Sequence, residues 1–266
     1  MSTSSTTKVL GMAGLLAAAA AVMIGCHALT TEPVATNDYR AEGLLILDRN
    51  IDSTIAAVSL ERNDSTLANA AVNLAGVPLG FFAALLPVDS VYLLKVDTAA
   101  RFAGDNVYLS VADATRYRDS GLVAVPDTFS INGDFSPANH LLNGVGQVAF
   151  SWTLSPNSIG YVVATVKAEE AYTGTGYSAY AASGATAGTI PPDAFIDPIS
   201  SEPDTGLYNV YVYAISGAPD SLLSSYLLPV PLPGQLADNL DWTSLAGRFG
   251  AVSVVRCDTV RVAVGR

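Results

Sequence analysis

Few residues of this 266-residue chain have types and spacings that could do chemistry. It holds two histidines, His27 and His140, and two cysteines, Cys26 and Cys257. His27 directly follows Cys26, which leaves His140 as the available base. It stands in Pro137-Ala138-Asn139-His140-Leu141-Leu142 and reads as a loop or packing residue. There is no Gly-x-Ser-x-Gly elbow and no His-Glu-x-x-His pair, and no glycine-rich loop opens a helix to cradle phosphate. Asp48-Arg49-Asn50-Ile51-Asp52 starts as a calcium loop would, but Ser53 takes the sixth position, where Gly is needed. Ser59 takes the twelfth, where Glu is needed. Asp193, Asp197, Glu202 and Asp204 read as solvated turn residues. Glycoside hydrolysis needs two carboxyl groups about 5–10 Å apart, and nothing singles out such a pair. The expectation is a chain that is not an enzyme and holds no metal and no cofactor.

Binding chemistry is better represented. Tyr172-Thr173-Gly174-Thr175-Gly176-Tyr177-Ser178-Ala179-Tyr180 mixes tyrosine with small residues, the composition of adaptable binding loops. Tyr172, Tyr177, Tyr180 and the more distant Trp242 are the candidate binding residues. The alternative is a flexible inter-strand loop whose tyrosines pack on their own sheet, with Trp242 and Phe249 packed as a plug. Of the neighbours Phe81 and Phe82, a strand can turn only one inward.

Cys26 ends the apolar run from Val9 to Ile24, after a polar start that carries Lys8. The run is short for a spanning helix, which takes about 20 apolar residues, and matches the apolar centre of a secretory signal. Met23-Ile24-Gly25-Cys26 resembles the lipobox of bacterial lipoproteins. That resemblance implies a signal peptide over 1–25, and lipidation of Cys26, multiply acylated with palmitate-type chains, as the first mature residue. It also implies a lasting membrane anchor, since two or more chains hold stably. An uncleaved helical anchor and an ordinary secretory signal are the alternatives. The implied location is the cell envelope, extracytoplasmic, and the outer membrane if the cell is Gram-negative, because His27 rather than Asp follows the cysteine. Residues 26–38, with Pro33 and no periodicity, read as a tether. Extended, such a tether reaches at most about 40 Å.

Without residues 1–25 the chain has 12 basic and 24 acidic residues, a net charge of −12. Nucleic acid needs clustered Lys and Arg, so it is excluded as a partner. With Cys26 spent on the anchor, Cys257 has no partner within the chain, and the fold must stand on its core.

Val, Thr, Tyr, Gly and Ala dominate the sequence, a mix that favours strands. Short alternating runs recur between turn signals: Ala57–Leu60, Ala70–Leu74, Val91–Val96 and Val107–Val111. A helix of a turn or two is expected within Leu236–Leu245. A repeat stands out. Pro87 precedes Tyr92 by five and Pro203 precedes Tyr208 by five, and each tyrosine opens an alternating run. Both resemble the tyrosine corner of immunoglobulin-like and fibronectin type III sandwiches, which implies structural roles for Tyr92 and Tyr208. Gln147–Trp152, Gly160–Val166, Thr189–Pro192, Tyr208–Ala214 and Val252–Val264 extend the fibronectin resemblance over the second half. The last run slips in apolar parity near Arg256-Cys257-Asp258, where a break is expected. Residues 219–249 are a long insertion with the proline-rich Leu228-Pro229-Val230-Pro231-Leu232-Pro233.

The expected fold is therefore all-β, two tandem antiparallel β-sandwiches after a lipoprotein signal peptide. The first is immunoglobulin-like over 39–124; the second is fibronectin type III-like over 125–266. The expected function is non-catalytic: an envelope lipoprotein, held to the membrane by its N-terminal lipid, that presents sandwich domains for binding an envelope protein or a glycan. A hydrolase acting on envelope or extracellular polymers and a purely structural spacer are the alternatives.

Overall fold

The computed structural model describes residues 39–83, 90–113, 118–144, 146–241 and 245–265. The expected signal peptide, the tether, Cys26, Pro87 and Trp242 lie outside the described residues. The first strands are β1 (Tyr39–Asp48), β2 (Ser53–Arg62), β3 (Ser65–Thr66), β4 (Ala71–Leu74), β5 (Val77–Pro78) and β6 (Gly80–Phe82). Next come β7 (Val91–Val96), β8 (Asn106–Ala112), β9 (Arg118–Ala124), β10 (Leu141–Asn143), β11 (Val148–Ser151) and β12 (Gly160–Lys167). The last are β13 (Tyr177–Ala181), β14 (Ala187–Ile190), β15 (Gly206–Gly217), β16 (Leu240–Asp241) and β17 (Leu245–Ala263), with a helix α1 (Ser221–Leu227) before β16.

The chain is all-β and mainly antiparallel. Its largest sheet runs β13-β12-β15-β17-β1-β2-β7-β6, with β3, β10 and β16 as side members. The 19-residue β17 holds it together. One edge of β17 pairs in parallel with β1, from Tyr39↔Leu245 to Asp48↔Val254. The other edge pairs antiparallel with β15, from Gly217↔Gly250 to Gly206↔Val262. Segments 39–124 and 125–266 thus contribute to one continuous sheet, and contacts join Asn37–Arg266 into one unit. The junction is packed rather than linker-like. Val125 is buried, Asn157 Nδ2 donates to the Gly104 carbonyl at 2.9 Å, and the Ser216 hydroxyl donates to the Ala124 carbonyl.

Alternation assigns the faces. On one face, Leu45, Leu47, Val58, Leu60, Tyr92 and Ala251 pack under the sheet β5-β4-β8-β9. Farther along the same face, Tyr161, Val163, Tyr208, Val210, Val212 and Val260 pack under the hairpin-like pair β11-β14, with Trp152 fully buried between them. These are two sandwich cores side by side on a shared sheet. The parity slip at Arg256-Cys257-Asp258 is what permits it. Val210 pairs with Asp258 and Tyr211 with Arg256, so Cys257 is bulged out of register. β17 is therefore not broken there. The bulge turns Val260 and Val262 to the face that Ala251 occupies, instead of the opposite one.

The opposite face carries Leu44, Ile46, Val162, Ala164, Tyr211, Tyr213, Val252 and Val254. The insertion covers it as a strap, through Leu223, Leu228, Val230 and Leu232. Buried Tyr213 pins the strap: its hydroxyl donates to the Val230 carbonyl at 3.2 Å and accepts from the Val230 amide at 3.0 Å. The helix lies earlier than expected. Asp220 caps α1 by accepting from the Leu223 amide at 2.7 Å, whereas Leu240 and Leu245 belong to strands, and Leu240 pairs with Gly247. Leu236 and Leu240, four apart, serve two different layers rather than one helical stripe.

Candidate functional site

Where β12 ends and β15 begins, two strand ends and the loops beside them enclose a groove of about 480 Å³. Lys167, Glu170, Tyr177, Asp193, Asp204 and Tyr208 line it. Tyr208 is held there by the extended run that buries Val210 and Val212. Its hydroxyl meets the carbonyl of Asp204, four residues back, at 2.9 Å, and the Asp204 Oδ2 at 2.8 Å. This is the local corner that the Pro203–Tyr208 spacing suggested. Asp204 Oδ1 takes an ion pair from Lys167. Both oxygens of Asp204 are thus engaged by the fold. The hydrogen bond to Asp204 raises the Lys167 ammonium pKa, so the lysine is charged at neutral pH. Burial, followed by the Asp204 carboxylate, raises the Tyr208 phenol.

Tyr177 packs its ring on the core under β11-β14 and lines the groove, with burial and then Asp193 raising its phenol. The groove therefore offers an aromatic surface, carboxylate acceptors and one ammonium. Its size lies within the usual range of small-ligand sites. Asp197, below it in sequence, turns its Oδ1 to the amides of Ile199 at 2.7 Å and Ser200 at 3.1 Å, which lowers its pKa.

The three candidate tyrosines are not brought to one surface. Tyr177 faces the Trp152 core, while Tyr180, an odd number of residues on, pairs with Val162 and shares the strap face. Tyr180 is 43% exposed. Tyr172 sits with positive φ, its amide donating to the Pro229 carbonyl at 3.0 Å and its hydroxyl 3.5 Å from Asp48 Oδ2. Burial, then the Asp48 carboxylate, pushes the Tyr172 phenol up to about 12. Tyr172 thus fastens its loop to the strap. Of the three, only Tyr177 lines the groove. Lys167, Glu170 and Asp193 were not read as one site from sequence, since residues spread over 167–208 meet only through the β12–β15 pairing.

The other fold marker, Tyr92, reaches farther than a corner would. Its hydroxyl donates to the Leu67 carbonyl at 2.6 Å and accepts from the Ala70 amide at 3.0 Å. Phe81 packs on the Tyr92 ring at 5.1 Å between centroids, while Phe82 is exposed. The remaining chemistry-bearing residues serve the fold. His140, with positive φ, lays its ring on Phe135 and sets Nδ1 3.4 Å from Asp258. Asp48 accepts from the Asn50 amide and side chain, and Asp52 from the Ala99 amide. Burial, and then Asp258, raises the Cys257 thiol, against the thiolate a nucleophile needs. Phe249 fills the core over Gly43, where a Cβ would stand 2.5 Å from its ring.

No family model and no curated protein matches the chain. Among solved structures it is similar to the chicken CNTN1 FN1-FN3 domains (11% identity, TM-score 0.23), covering 68% of this chain and 59% of that one. It is likewise similar to a cytokine receptor complex at 13% identity and TM-score 0.26, covering 74% of this chain and all of that one. A third is a 1.5-MDa bacterial ice-binding adhesin at 9% identity and TM-score 0.22, covering 84% and 65%. The chain thus spans about three fifths of the length of the CNTN1 fragment.

Proposed function

We propose that this protein is a non-catalytic lipoprotein of the cell envelope, anchored through Cys26, whose shared-sheet sandwiches present a binding surface to an envelope protein or a glycan. The observation that carries the reading is the groove beside Tyr208. Its walls are strand ends, Lys167 and Asp204 are paired with each other, Glu170 and Asp193 add carboxylates to the lining, and Tyr177 offers a ring face. Such a surface suits recognition through sugar hydroxyls or peptide groups. Asp204, the carboxylate beside Tyr208, is already engaged at both oxygens, which suits it to holding the groove's shape rather than to proton transfer.

Two experiments test the two halves of this reading. Metabolic labelling with palmitate should mark wild-type protein and leave Cys26→Ser unlabelled and released from membranes; equal labelling of both removes the anchor. Affinity capture from envelope extracts, together with a glycan array, should lose its ligand when Tyr177→Ala and Asp193→Asn are combined. Identical profiles for wild type and the double variant leave a structural spacer as the reading.

A further inference from the structure

On the strap face, at the β1 end of the central sheet, charged side chains stand in register across three strands. Glu61 of β2 lies opposite Arg40 of β1, and Ser59 of β2 opposite Glu42 of β1, which in turn pairs with Arg248 of β17. Arg40 binds Glu42 at 2.7 Å and Asp238 at 3.1 Å. Arg248 binds Asp238 at 2.8 Å and lies 3.9 Å from Glu42. Two cations and two anions close a ring, and the ring is neutral.

Asp220, the cap of α1, meets this ring as an additional acid. It is 1% exposed. Its amide donates to the Gly43 carbonyl at 3.1 Å, and its Oδ1 is taken by the Leu223 amide. Its Oδ2 is buried and receives no donor among the described residues. With Arg40, Glu42, Ser59 and Glu61, Asp220 lines a cavity of about 160 Å³ between α1 and the sheet, room for about five waters. Glu42 Oε1 already accepts two bonds from Arg40. A second ionised carboxylate here would stand beside Glu42 in one cavity. Although Arg248 keeps its Nε and Nη1 buried without an acceptor among the described residues, neither bonds the Asp220 Oδ2. Two neighbouring acids do not readily both ionise. Burial first, then Glu42, makes Asp220 hold its proton more tightly than usual, against the Leu223 amide and Arg248.

We propose that Asp220 and Glu42 share one proton, and that this proton latches α1, and with it the strap over 219–236, onto the central sheet. Between the ordinary aspartate range, about 4, and the raised pKa, the closed strap holds a proton that the opened strap releases. The latch is therefore strongest in acid and weakens as pH rises through the raised pKa. One proton makes the opening equilibrium grow by up to tenfold per pH unit in that window. Opening uncovers the apolar face carrying Leu44, Tyr211, Tyr213 and Val252.

Hydrogen exchange on the whole chain from pH 4.5 to 8, corrected for intrinsic rates, reads this directly. Amides of 222–232 should open more readily with rising pH, by up to tenfold per unit, while those of β12 and β15 keep a flat profile. Asp220→Asn keeps the cap oxygen and supplies a permanent N–H toward Glu42, so its strap should stay protected and lose the slope. Glu42→Gln should lose the slope as well, which covers the case in which the Asn variant does not fold. A flat wild-type strap, or a slope unchanged in either variant, overturns the proposal. Neither outcome depends on whether the groove beside Tyr208 binds anything.

Discussion

The tyrosines of this chain use ring and hydroxyl for different purposes. The rings fill the layers, and the hydroxyls tie down backbone that would otherwise leave the sheet. Tyr92 holds the Leu67–Ala70 segment, Tyr161 accepts from the Ser155 amide at 2.7 Å, Tyr208 holds Asp204 and Tyr213 holds Val230. A buried polar partner left alone costs about 1–3 kcal/mol. Tyr208→Phe should lower stability by that amount, read as a shifted urea midpoint with unchanged slope; an unmoved midpoint removes the corner. A glycine sets the opposite limit. At Gly247, with φ of +124°, a Cβ would stand 2.0 Å from the Ala41 carbonyl oxygen. Gly247→Ala should therefore cost about 3 kcal/mol or more, visible as a large loss of thermal midpoint.

Among the elements, β17 and the strap decide most. The bulge at Cys257 sets which face Val260 and Val262 occupy, and the thiol itself is incidental to it. Cys257→Ser should stay within about 1 kcal/mol of wild type. Deleting residue 257 should instead turn Val260 and Val262 out of the Trp152 core and abolish cooperative unfolding by near-ultraviolet circular dichroism. The strap is held by two anchors of different kind, the Tyr213 hydroxyl in the middle and Asp220 at the helix cap. Tyr213→Phe should loosen the strap by about 1–3 kcal/mol at every pH, a uniform rise in exchange of residues 228–232. The Asp220 latch, by contrast, should act only through pH.

For the molecule as a whole, the shared sheet predicts how it unfolds. With β1 paired to β17 over ten residue pairs, neither half has a complete sheet of its own. Calorimetry of the chain from residue 39 onward should give one transition whose calorimetric and van't Hoff enthalpies agree. Segments 39–124 and 125–266 expressed separately should each lack cooperative unfolding. Two independent transitions would mean that the shared sheet contributes little to cooperativity.

Much of this was legible in the residues. The strand content, the corner at Tyr208, the one inward phenylalanine of Phe81-Phe82 and the parity slip at Cys257 all follow from side-chain alternation and turn chemistry, which are local. Alternation says which residues share a face, but not which strand lies alongside. The parallel pairing of Tyr39–Asp48 with Leu245–Val254 joins residues about two hundred apart and leaves no trace in either segment. For the same reason the sequence did not reveal that the two sandwich cores share one sheet, and it grouped three tyrosines that the fold distributes. Tertiary structure alone decided that Tyr92 reaches back to Leu67, that the groove collects Lys167, Asp193 and Asp204, and that Asp220 and Glu42 line one cavity. Each of these needs two distant strands or loops brought together, and that contact is set by the packing of whole layers rather than by the order of residues within one.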